Sequence, residues 1–136
     1  VRFLDSRDYP GSLLVGIAIE LLRGEMAYRA GDFGEAIKHF TAAVEKQDTL
    51  PYTEPPFWYY PTRQSLGAAL MASGDAQGAE AVFRLDLEQY PHNGWSMFGL
   101  TQALRAQYKD AQADQVQINI EKAWQLADVE LTAAVL

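Results

Sequence analysis

Residues 63–91 read RQSLGAALMASGDAQGAEAVFRLDLEQYP, and the fold is decided on this stretch. Leu66, Gly67 and Leu70 lie at helical spacing ahead of a Gly74-Asp75 turn, with Ala79 and Phe83 at helical spacing after it. Pro91 lacks the N–H that a further turn of helix would need, so it closes the second segment. The pattern predicts a helix, a tight turn and a second helix running back along the first.

The same landmarks recur on both sides. Gly67 matches Gly24, 43 residues earlier, and Thr101, 34 residues later. Gly31, Gly74 and Tyr108 keep both intervals, and so do Ala36, Ala79 and Ala113. A small residue at Gly24 and Gly67 lets two paired helices approach closely, and the alanines suit the crossing point. Phe40 and Phe83 then fill the wider space one turn on. The longer interval exceeds the shorter by nine residues, and the excess falls in 48–61, DTLPYTEPPFWYYP. Its four prolines forbid regular helix through most of it. Its aromatics Tyr52, Phe57, Trp58, Tyr59 and Tyr60 predict an ordered, packed connection, with ligand contact as the alternative.

Periodicity predicts helices over 11–30, 33–47, 62–73, 76–90, 95–107 and 111–127. Gly31-Asp32 makes the first turn, with Asp32 placed to cap the next helix. Leu13 to Leu22 is apolar nearly all round, which predicts burial on more than one face. Residues 1–10 read as a lead-in and 128–136 as a C-terminal cap.

With LLRGEMAYRAGDFGEAI, LPYTEPPFWYYPTRQSLGAAL and NGWSMFGLTQALRAQ, the chain resembles the tetratricopeptide-repeat (TPR) family over about residues 22–124. The 34-residue step is that family's period. Departures from the pattern are Glu20 and Arg63 in place of the opening aromatic, Arg23 for Leu, Tyr108 for Gly and Gln117 for Phe. The phrases are similar to the C-terminal part of larger bacterial TPR proteins, and the chain begins at Val1 rather than Met; a fragment is expected.

The resemblance implies one all-α domain over 1–136. It would be an α-α superhelix: a right-handed stack of about three antiparallel helix pairs, with units at 17–47, 60–91 and 94–127. It implies a concave peptide-binding face carrying Leu21, Glu25, Tyr28 and Arg29, then Gln64, Ala68 and Met71, then Trp95, Phe98, Gln102 and Arg105. Aromatic and arginine side chains are what interface hot spots favour. Members that clamp a chaperone's C-terminal carboxylate use Lys, Asn and Arg on that face. This chain has Leu21, Glu25, Ser65, Trp95 and Gly99 there, so that ligand is not expected.

Composition narrows the function further. A net charge of −7 disfavours a nucleic-acid binder, which needs clustered cations. No run reaches the roughly 18–20 apolar residues of a membrane span, so a soluble, cytoplasmic protein is the default expectation. The absence of cysteine removes thiol chemistry and thiolate metal sites. His39 and His92 form no ligand pair, the carboxylates are scattered, and Ser65 and Ser73 lack a nucleophile's surroundings. No catalytic, metal or cofactor residue is therefore assigned. The expected function is a non-catalytic protein- or peptide-binding scaffold module. The alternatives are an end cap that self-associates, with a homodimer through Leu13 to Leu22, and an accessory domain of an enzyme.

Overall fold

A computed structural model describes residues 2–5, 9–127, 131 and 134. The described residues form seven helices and no strand. They fall into two compact units, Val1–Thr62 and Arg63–Leu136.

In the first unit, α1 (Arg2–Asp5) leads into α2 (Gly11–Arg29), which folds back on α3 (Phe33–Asp48). The close approach rests on Gly24: a Cβ there would lie 2.4 Å from the ring of Phe40. Ala36, Phe40 and Ala43 are buried along the inner stripe of α3, and Ile17 is buried on α2. The expectation that α2 is covered on several faces is corrected. Val15, Ala18, Ile19 and Leu22 remain exposed along one side, because α3 packs only against the other.

The connection after α3 is held at its far end by Gln47, whose Oε1 accepts from Thr62 N (2.9 Å) and Oγ1 (2.6 Å). Phe57 meets Tyr9 edge to face at 5.1 Å, and Trp58 and Tyr60 are half-buried. Packing of the whole aromatic set is corrected too: Tyr52 and Tyr59 point into solvent. Tyr52 Oη donates to Glu54 instead.

The second unit takes α4 (Thr62–Ser73) from Arg63 onward, with α5 (Ala76–Gln89), α6 (Gly94–Ala106) and α7 (Asp110–Ala123). Phe83 of α5 is its centre. A Cβ on Gly67 of α4 or on Gly99 of α6 would lie 2.4 or 2.3 Å from that ring, so one aromatic fills the space left by two glycines. Ala79, Leu100, Ala103, Leu104 and Ala113 complete the core, and Ala134 reaches it from the C-terminal segment. Most of the expected cap at 128–136 lies outside the described residues. Helix α7 ends at Ala123, four residues short of expectation.

Three turns share one backbone geometry. Gly31, Gly74 and Tyr108 have φ of 78°, 90° and 59°, the left-handed region. Each donates its N–H three residues back, to the carbonyls of Tyr28, Met71 and Arg105. The next residue, Asp32, Asp75 or Lys109, donates to Ala27, Leu70 or Leu104 at 2.9–3.0 Å. This paired closure is the Schellman ending of a helix. Asp32 and Asp75 then cap the following helix by accepting from Glu35 N and Gly78 N. Lys109 makes no such cap.

Candidate functional site

A buried polar cluster sets the start of α6. Asp86, fully buried on α5, accepts at Oδ2 from Asn93 Nδ2 (2.8 Å) and Ser96 Oγ (2.5 Å). Asn93 Oδ1 in turn accepts from Trp95 N and from Gln64 Nε2 (2.9 Å), which ties α4 to the cap. Burial pushes the Asp86 carboxyl up from its ordinary value, and its Oδ1 has no hydrogen-bond partner among the described residues. With Ser96 turned inward, the helical period fixes what faces outward. Gly94, Ser96, Met97, Gly99, Leu100, Thr101, Ala103 and Leu104 are all buried. Trp95, Phe98, Gln102 and Arg105, at steps of three, four and three, form an accessible stripe.

At the head of this stripe Trp95 meets Trp124 edge to face, with ring centroids 5.9 Å apart. Gly94 makes room for that arrangement, since a Cβ there would fall 2.0 Å from the Trp124 indole. Trp124 follows the last turn of α7, and the chain beyond it bends to form an open hollow of about 440 Å³ lined by both indoles, Leu126 and Ala127. At the other end, Arg105 reaches only loosely towards Asp114, at 3.9 Å, and its side chain is more than half exposed. The stripe therefore runs from an apolar, indole-walled hollow to an exposed cation.

The other residues singled out from the sequence sit as follows. On α4, Met71 packs half-buried against the core, while Gln64 is buried with its amide engaged by Asn93. On α2, Leu21, Glu25 and Tyr28 are half-buried and Arg29 is exposed. Tyr28 packs on Phe33 at 5.5 Å, and Arg29 pairs with Glu25 at 3.5 Å. These residues of α2 lie in the first unit; those of α4 and α6 lie in the second.

Two ionic clusters escaped the sequence reading. His39 Nδ1 lies 2.7 Å from Glu20, and its Nε2 lies 3.2 Å from Glu35, with Lys46 3.6 Å from Glu20. The hydrogen bond from His39 holds the Glu20 carboxyl below its ordinary value. On α5, Glu80 accepts from Lys109 Nζ (2.7 Å), Arg84 Nε (2.9 Å) and Gln107 Nε2 (2.8 Å). These donors, Lys109 foremost, hold its carboxyl down at about 2. Only the helical spacing of Glu35 with His39, and of Glu80 with Arg84, was open to sequence reasoning; the remaining partners come from other elements. Both clusters tie neighbouring elements together.

Compared with protein-family models, curated proteins and solved structures, the chain matches none.

Proposed function

We propose that the chain is a non-catalytic, TPR-like module that binds a protein or peptide segment, and that the α6 stripe is its principal contact surface in the second unit. One observation carries this reading: eight residues of α6 are buried, and Trp95, Phe98, Gln102 and Arg105 are left in one accessible line beside the exposed terminal Ala106. Trp95 packs on Trp124, yet it and Phe98 stay only half-buried, and Arg105 is exposed on the same side. Those residue types contribute most at protein interfaces. The TPR reading is supported by the three Schellman turns at 31, 74 and 108, whose intervals are those of the sequence repeat. A right-handed stack of helix pairs follows from that reading. The hollow walled by Trp95 and Trp124 suits an apolar side chain of the bound segment, and Arg105 suits a carboxylate further along it.

The test is selection of binding peptides from a random display library against the full chain, followed by affinity measurement with variants. Phe98→Ala and Arg105→Ala are expected to weaken the selected peptides at least tenfold, about 1.4 kcal/mol. Leu85→Ala, at an exposed position on α5, should leave them unchanged. Equal binding by all three variants would remove α6 as the contact surface.

A further inference from the structure

The exposed side of α2 carries a narrow apolar seam. Val15, Ile19, Leu22 and Met26 are 45, 43, 63 and 64 % exposed, and they follow one another at steps of four, three and four. That is the a/d spacing by which one helix meets another along a single line, narrower than the stripe a helix lays on a globular core. Ser12 and Arg29 extend the line by three residues at either end, and both are exposed. The full series Ser12, Val15, Ile19, Leu22, Met26, Arg29 therefore has steps of three, four, three, four and three. It reads the same in both directions.

A series symmetric about its own midpoint is self-complementary in an antiparallel pair. Two copies related by a two-fold axis between Ile19 and Leu22 set Ile19 against Leu22, Val15 against Met26 and Ser12 against Arg29. The outer pair is also complementary in charge. Asp5 accepts from the backbone N–H of Ser12 (2.8 Å) and from its hydroxyl, so a carboxylate is fixed at the Ser12 end of the seam. The Arg29 side chain at the opposite end is 77 % exposed and pairs with Glu25 at 3.5 Å. The exposed Ala18 beside the line keeps that flank low for close approach.

We propose that α2 pairs with α2 of a second copy of this chain, antiparallel, with Asp5 of each copy meeting Arg29 of the other. An isologous contact of this kind closes on itself and gives a dimer. It shares Arg29 with the concave face that the family resemblance implies but uses none of the α6 residues, and it stands without the peptide-binding reading.

The experiment is sedimentation equilibrium on the full chain, followed by disulfide trapping, which the absence of native cysteine makes clean. The chain is expected to be a dimer, and Leu22→Glu a monomer with unchanged helical circular dichroism. Arg29→Asp should weaken the dimer about tenfold, since it sets two carboxylates together at each end. Mixed under mild oxidation, Val15→Cys and Met26→Cys chains should form a cross-linked heterodimer. Neither should link to itself, because equivalent positions then lie about 16 Å apart along the seam and a disulfide needs Cα atoms within about 7 Å. A monomeric native chain would overturn the proposal, and so would a dimer indifferent to Leu22→Glu. Self-linking of Val15→Cys would overturn the antiparallel arrangement, and an unweakened Arg29→Asp dimer the ionic ends.

Discussion

Between α4 and α5 the chain turns on Gly74, and Asp75 caps the helix that follows; between α6 and α7 it turns on Tyr108, and Lys109 caps nothing. Inside the first hairpin Gly67 lies against Phe83, whereas the corresponding positions of the second are Thr101 and Gln117. Thr101 satisfies its hydroxyl on the Met97 carbonyl, and Gln117 reaches Glu121. Yet both turns make the same two backbone hydrogen bonds. The shape of the turn thus survives loss of the glycine, the cap and the glycine–aromatic contact. Two substitutes are visible: Lys109 reaches across to Glu80, and the ring of Phe83 serves Gly99 of α6 as well as Gly67.

The comparison is most sharply tested at its centre. Phe83→Ala should cost about 3–5 kcal/mol in chemical denaturation, as expected for a fully buried ring. Gln117→Ala at the matching position of α7 should stay within about 0.5 kcal/mol. Equal losses would mean that the two hairpins are locked alike. Next comes Gly67→Ala, whose methyl would fall 2.4 Å from the ring and should cost about 1–3 kcal/mol by the same measurement. Glu80→Gln should cost about 1–2 kcal/mol near neutral pH, allowing for the partial exposure of Lys109 and Arg84. Because folding lowers this carboxyl from 4.5 to about 2, its contribution is present above 4.5 and vanishes as pH falls to about 2. Denaturation of the variant and the native chain across that window should therefore converge. Smallest is Tyr108→Gly, expected to raise stability by about 0.5–1 kcal/mol by relieving a left-handed non-glycine residue. Gly74→Ala should lower it by a similar amount, read as opposite shifts in melting temperature.

Much of this architecture was legible because it depends on local spacing. Gly31, Gly74 and Tyr108 were aligned by interval alone, and all three adopt the same left-handed turn. Gly24 and Gly67 were read as sites of close approach, and each lies hard against a phenylalanine ring that was expected one turn further on. What escaped depends on partners distant in sequence. Helix α7 stops at Ala123 because Trp124 leaves the helix to pack on Trp95 over Gly94, a contact no periodicity announces. Gln64 was placed on a binding face by the family resemblance, but only the fold reveals Asn93 beside it. The proline-rich stretch was read as packed from its aromatic content, yet content does not say which rings turn outward, and Tyr52 and Tyr59 do.

Helix α5 carries two carboxylates that folding drives in opposite directions. Glu80 is held low by its cationic neighbours, while burial pushes Asp86 up despite its bonds to Ser96 and Asn93 and the charge of Arg63. Protonation of Asp86 therefore relieves the folded state, and that relief arrives as pH drops through its raised value. Loss of the Glu80 clamp, between pH 4.5 and about 2, works the other way. On acidification these two groups therefore act on the second unit in opposite senses, because a spacing of six residues on one helix puts one carboxylate among cations and the other in the core.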